Sequence, residues 1–291
     1  MSNEFSKRAS KTAKFRRQST NALIYVILVI LSVIWLIPIL WIVFSAIRGE
    51  PGSFSAKFIP DSFTLQNFID LWNNPVYPFR VWFLNTFIVA ISTCLISTAL
   101  TLMISYVLSR MRFRFRKPYM NVALILGMFP AFMSMIAVYY ILKAVNLTQS
   151  LTALVLVYSA GAGINYYICK GFFDTVPRAL DEAAKLDGAT NFQVFVKIIL
   201  PMSGPIIVYQ ALMSFMAPWA DFIFARIIMG DNYDKYTVAI GMYQMIAKEN
   251  IYNYFRQFNA GCILIGIPLV VMFVMMQKLY VEGVTGGAVK S

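Results

Sequence analysis

Six stretches of this chain are long, apolar and almost free of charge, and each needs an environment without water. They run approximately over residues 22–47, 81–109, 119–142, 151–169, 204–229 and 257–277. A run of about 20 apolar residues is long enough to cross the hydrocarbon core of a bilayer as a helix. In lipid the backbone must satisfy its own N–H and C=O groups, which favours helix throughout. Only the fifth stretch holds ionisable side chains, Asp221 and Arg226, near one end. A soluble protein built on six buried helices is the alternative. It would need more polar surface than 13% charged residues supply, against about 25% in soluble domains. The chain reads as an all-α integral membrane protein with six transmembrane helices.

The first stretch is expected to be retained. It is longer than the roughly 7–15-residue core of a signal peptide, and no small-residue cleavage site follows. Trp35, Pro38 and Trp41 sit inside it. Charge placement gives an orientation. Lys7, Arg8, Lys11, Lys14, Arg16 and Arg17 precede the first stretch, and Arg110, Arg112, Arg114, Arg116 and Lys117 separate the second from the third. Lys170, Arg178, Lys185 and Lys197 surround the segment between the fourth and fifth, while Lys278 and Lys290 follow the sixth. Basic loops stay in the cytoplasm, so both termini and both basic loops are expected inside. The expected organisation is a basic tail over 1–21, a membrane domain over 22–280 and a cytoplasmic tail over 281–291. Within the membrane domain lie a cytoplasmic loop over 174–203 and an outer loop over 230–254.

Several chemistries are disfavoured. The net charge of +12 and the Arg/Phe run over 110–117 raise nucleic acid as a partner. Between two spanning helices, however, that run reads as an anchor beside anionic membrane lipid. Cys94, Cys169 and Cys262 fall in apolar stretches and suggest neither a disulfide framework nor a metal site. The absence of histidine removes zinc-protease motifs and catalytic triads, and no GxxxxGK[ST] phosphate loop occurs. The centres of the stretches lack the ionisable groups that often relay protons in ion-coupled carriers. Ser97, Thr98 and Thr101 have no visible base and read as helix-packing or pore-facing groups. No catalytic residue, metal or cofactor is expected in this chain.

The segment TVPRALDEAAKLDGATNFQVFVKIILPMSGP, residues 175–205, is more specific. Pro177 suits a first helical turn. Leu180, Ala183, Ala184 and Asp187 follow at helical spacing, and Gly188 supplies a left-handed stop. Thr190-x-x-Gln193 is a capping box for a second helix, with Phe192, Phe195, Val196 and Ile199 as its expected apolar face, until Pro201 disrupts the backbone. Ala183 and Ala184 permit close approach of a partner, and Glu182 and Asp187 offer acceptors to its cations. An amphipathic segment lying under the headgroups is the competing reading.

Glu182-Ala183-Ala184, three residues, Gly188, nine residues, Ile198, one residue, then Leu200-Pro201 is similar to the EAA loop of ABC-importer permeases at every signature position. Most of the chain resembles the carbohydrate-uptake branch, in particular the smaller permease of maltose and maltodextrin importers. The resemblance includes residues 219–222 and 225–232, the run 236–242 and the ending 281–290. Ala220 departs from it, standing where that family commonly carries asparagine.

The resemblance implies a type I ABC-importer permease fold and a chain that forms half of a translocation pore. It implies four partners: a second, larger permease, a cytoplasmic ATPase homodimer, an external sugar-binding protein and membrane lipid. ATP and Mg would be held by the ATPase. Glu182, Ala183, Ala184, Asp187, Gly188, Leu200 and Pro201 would couple to that motor, and Gly283, Thr285, Gly286 and Gly287 would insert between its subunits. The outer loop would meet the binding protein, with Tyr236, Tyr243 and Tyr252 as candidate contacts that could equally be interfacial anchors. Asn85, Gly161, Gly163 and Asn165 are candidate pore or sugar contacts, though small residues also allow close helix packing. The larger permease is expected to supply most of the sugar pocket. Localisation in a prokaryotic plasma membrane follows from the same resemblance. A raffinose-type oligosaccharide, glycerol phosphate, or a stand-alone channel or carrier are the rival readings.

Overall fold

A computed structural model describes residues 18–277 apart from 19, 51, 53–56 and 131, and among them it contains no strand. Three helices are long and apolar enough to cross a membrane alone: Thr20–Ala46 (α1), Phe79–Arg110 (α3), and the span Lys248–Gln277. A short helix, Gln66–Trp72 (α2), lies between the first two. The other spans exist only as helices broken in the middle, so the six stretches do not become six straight rods. Arg116–Gly127 (α4) and Ala131–Ala144 (α5) divide the third stretch. Pro130 lies between them in an extended conformation, because a proline blocks continuation of the helix that precedes it. The fourth is Leu151–Ala160 (α6), Ala162–Asn165 (α7) and Tyr167–Thr175 (α8), bent by 45°.

The fifth stretch departs most from expectation. Its helix, Gly204–Ala220 (α12), ends where Asp221 turns extended, and a separate helix, Ile223–Met229 (α13), follows. Asp221 starts that helix by accepting the Phe224 N–H at 3.1 Å, so the carboxylate near the end of this stretch acts as a cap. At its other end α12 meets residues Asn191–Met202 at 86°.

The helix α3 is the axis of the molecule. Its buried face carries Thr86, Thr93, Ser97, Thr101, Ser105 and Ser109 at near-helical spacing. Small side chains let helices approach closely where lipid supplies no hydrophobic drive between them. Ser105 Oγ donates to the Tyr166 carbonyl at 3.0 Å and Ser109 Oγ to Asp174 at 2.6 Å, whereas the Thr101 hydroxyl is unpartnered.

Two large hydrophobic cores are strung along α3, with a small third core of Leu108, Ala123 and Tyr166. One gathers Trp82, Ile228, Met229, Tyr236, Ile240 and Met245. The other gathers Leu102, Tyr106, Phe173, Val194, Phe195 and Ile199. In the first, Gly241 lies so close to Trp82 that a Cβ there would stand 1.9 Å from the indole ring. By contrast α1 is bare: none of its most apolar window is buried. A helix apolar all round and unburied within its own chain is suited to lipid or a neighbouring subunit.

Candidate functional site

The segment 176–203 folds at the end of α3 that holds the second core. Pro177, at the position just before the helix, opens Arg178–Leu186 (α9). Gly188 ends it at φ +86°, a conformation that costs a side-chain-bearing residue about 1–2 kcal/mol. Thr190 and Gln193 form the expected capping box for Asn191–Val194 (α10), both hydrogen bonds being present. A π-turn over Phe195–Ile199 then leads into Leu200–Met202 (α11). The π-turn precedes Pro201, which lacks an N–H and would crowd a regular α-helical carbonyl one turn back.

Burial divides this segment differently from its sequence pattern. Val194, Phe195 and Ile199 face the core, but Phe192 is 71% exposed and Val196 is also exposed. The π-turn adds a residue to the turn and so rotates the faces away from regular 3.6 spacing. Glu182, Ala183, Asp187 and Gly188 share one exposed ridge, with Ala184 half-buried beneath it. Leu186, at 90% exposure, projects beside them. Ala184, Asp187, Gly188, Gln193 and Lys197 border a groove of about 410 Å³. Leu200 and Pro201 lie beyond that groove, at the bend into α12.

Sequence reasoning missed what fastens this ridge to the spans. Asp181 is buried and pairs with Arg110 at 3.3 Å, their side chains 10% and 4% exposed. Arg110 also donates to the Val176 carbonyl at 2.8 Å, and the Tyr106 hydroxyl to the Asn191 carbonyl at 2.9 Å. Arg178 reaches the Ser109 carbonyl at 3.3 Å. The basic run after α3, expected as a lipid anchor, therefore begins with an arginine turned inward. No spacing rule within one loop could show that, because the partners belong to different elements.

A cavity of about 680 Å³ opens between α3, α4, α6–α8 and α12. Gly161 and Asn165 line it. Gly163 instead supplies a carbonyl that accepts from the Tyr119 hydroxyl at 2.6 Å, tying α7 to α4. Asn85 is elsewhere and committed: its amide donates to the Asp234 and Tyr236 carbonyls at 2.8 and 3.0 Å.

Residues 230–254 are mostly folded against the first core. Val238–Ile246 (α14) buries Val238, Ile240, Met242 and Met245. Tyr236 is 2% exposed; its hydroxyl donates to the Gly230 carbonyl at 3.1 Å and accepts from Arg226. Burial, and then the neighbouring Tyr77 and Tyr236, pushes the Tyr233 phenol up to about 12, so it stays neutral. Tyr243 and Tyr252 are exposed. Gly283, Thr285, Gly286 and Gly287 lie outside the described residues. No group of side chains able to hold a metal ion occurs among the described residues.

Over residues 97–285 the chain matches the family described as binding-protein-dependent transport system inner membrane component. It is 33% identical over 285 residues to the maltodextrin transport system permease protein MalD of Streptococcus pneumoniae, covering 97% of this chain and 99% of that protein. The galactooligosaccharides transport system permease protein GanQ of Bacillus subtilis is 31% identical, with 95% and 98% covered. The helical arrangement is similar to that in a crystal structure of a bacterial ABC transporter involved in import of the acidic polysaccharide alginate. There the TM-score is 0.75 at 18% identity, over 90% of this chain and 96% of that one.

Proposed function

Because the chain belongs to the family of binding-protein-dependent transport system inner membrane components, we propose that it forms half of the pore of an ATP-driven importer of malto-oligosaccharides. The observation that carries this reading is the exposed Glu182–Gly188 ridge, fastened to α3 by buried bonds. A motor that grips the ridge would move α3 with it. Its partners in this reading are a second, larger permease, an external sugar-binding protein and a cytoplasmic ATPase homodimer that holds ATP and Mg. The tail residues Gly283–Gly287 are proposed as a further contact with that ATPase. Of the outer tyrosines, Tyr243 and Tyr252 have the exposure that contact with the binding protein needs.

The mechanism is a two-state exchange of access. ATP-driven closure of the ATPase favours one arrangement of the ridge, and α3 and α12 carry that preference to the cavity. The chain's own part is mechanical, since hydrolysis belongs to the partner. Malto-oligosaccharide as cargo rests on the maltodextrin-permease relative. Galacto-oligosaccharide is the second reading, supported by GanQ at nearly equal identity.

The test is ATP hydrolysis by the reconstituted complex with binding protein loaded with maltotriose or with galactotriose. Stimulation by maltotriose is expected; stimulation by galactotriose alone would move the cargo to the second reading. ATP-independent transport by this chain alone in liposomes would overturn the importer reading.

A further inference from the structure

We infer that this chain carries a discrete site for one anionic phospholipid, in the groove between the last turns of α3 and the start of α4. The inference rests on the function proposed above only in placing this end of α3 at the cytoplasmic leaflet. The groove shares no lining residue with the cavity between the spans.

The groove itself is the first observation. It holds about 430 Å³, and Leu100, Met103, Val107, Phe113, Phe115 and Tyr119 are among its lining residues, none of which is charged. It is open from outside: of these six all but Val107 are exposed, Phe115 at 68%. From Leu100 to Leu108 it follows α3 for about 12 Å at helical rise. Lipid tails are as apolar as leucine, so an acyl chain fits such a groove without cost.

The second observation is the charge at one end of it. The five basic residues over 110–117 are equivalent in the sequence, and the structure divides them. Arg110 is committed to Asp181 and the Val176 carbonyl, and Arg116 donates from Nε to the Leu108 carbonyl at 2.7 Å. Arg112, Arg114 and Lys117 are exposed, and among the described residues none of them forms an ion pair. Arg114 stands over the Phe115 ring at 5.9 Å, which sets a cation on the rim of the groove. No Asp or Glu occurs between Asp70 and Asp174, and Asp174 and Asp181 are already paired with Lys170 and Arg110. The helix α4 starts here with no acidic residue in its first turn, so its dipole adds to the positive field.

Together the two parts define the ligand. A free phosphate has no use for the groove, and a neutral lipid has none for the cations. A phosphodiester carrying acyl chains satisfies both, and arginine forks suit its oxygens. The general attraction to anionic lipid expected from the sequence thus becomes a single seat with a head-group end and a tail end.

The experiment measures lipid binding by native mass spectrometry on the purified full chain, alone and in the complete transporter, after delipidation in detergent. Each is titrated with phosphatidylglycerol or with phosphatidylcholine of identical acyl chains. Phosphatidylglycerol is expected to bind roughly tenfold or more tightly, each cation near an anionic head group being worth about fivefold. Arg112→Gln/Arg114→Gln should abolish that preference. Met103→Trp, which fills the groove from an exposed position and keeps the cations, should weaken both lipids roughly tenfold, as if about two methylenes lost their place. Both variants should keep the wild-type thermal midpoint, and excess glycerol phosphate should not displace bound phosphatidylglycerol.

Equal binding of the two lipids, or an unchanged preference in the arginine variant, would overturn the anionic class. Displacement by glycerol phosphate would make this a free-anion site, and unchanged binding in Met103→Trp would remove the groove from it; either result overturns the lipid seat. Binding by the chain alone but not by the complete transporter would give the groove to the second permease and overturn the site as well. None of these measurements involves sugar or ATP, so each such failure leaves the proposed function standing. ATP-independent transport by the chain alone would overturn that function and leave the lipid site untouched.

Discussion

At Gly188 and at Gly241 a hydrogen atom does what no side chain could, for two unrelated reasons. Gly188 has open space around it, with nothing within 4 Å of where a Cβ would stand, but its φ is +86°. Gly188→Val therefore strains the backbone without crowding anything. Sugar uptake should fall at least tenfold with normal amounts of chain in the membrane, and Gly188→Asn, which tolerates this region, should retain more. Normal uptake by Gly188→Val would remove the turn from the coupling argument. Gly241 is the opposite case, its difficulty being the Trp82 ring. Gly241→Ala should destabilise the chain by about 1–3 kcal/mol, seen as a lower thermal midpoint, with partial recovery in Gly241→Ala/Trp82→Leu. Gly188 was legible in the sequence, since a stop and a capping box follow one another locally. Gly241 was not, because its constraint comes from a ring on another helix.

Among the elements, α9 and α10 followed their local signals, while their attachment did not. The Arg110–Asp181 pair is almost fully buried, and breaking such a pair by removing one partner costs about 3–5 kcal/mol. Asp181→Ala should therefore lower the thermal midpoint more than Asp181→Ala/Arg110→Met, which leaves no orphaned charge. Transport should stay impaired in the double variant, because the tie between α9 and α3 is still missing; recovery of transport would show the pair to be structural only. Phe192 was expected inward by regular spacing and projects outward because a π-turn intervenes. With Leu186 it offers large apolar anchors on the exposed surface of this segment, and such anchors dominate interfaces. Phe192→Glu/Leu186→Glu should leave the thermal midpoint of the isolated chain unchanged and reduce co-purification of the ATPase about tenfold or more. The bend in the third stretch escaped the sequence reading for a related reason. Apolar windows report what is removed from water, and a broken helix removes as much as a straight one.

For the whole molecule, apolar length and the grouping of basic residues were enough to give the class and the expected orientation. Reporter fusions at both ends should test it: a fluorescent protein should fold at either terminus, and alkaline phosphatase fused there should be inactive, as cytoplasmic ends require. Active phosphatase at either end would reverse the topology. What the sequence could not convey was the arrangement of several cores on one helix, since that depends on contacts between segments far apart along the chain.

That arrangement has a consequence for leakage. The axis α3 is 32 residues long, about 48 Å at helical rise. Bonds from Tyr106 and Arg110 clamp one end, and bonds from Asn85 and Thr86 to the 234–238 segment clamp the other. In the proposed importer, a rod held this way would turn as one piece, so the two doors of the passage would hang on a single spindle. Opening one would swing the other shut, and an ion that wandered in would meet an airlock where a pipe would let the cell's gradients run down.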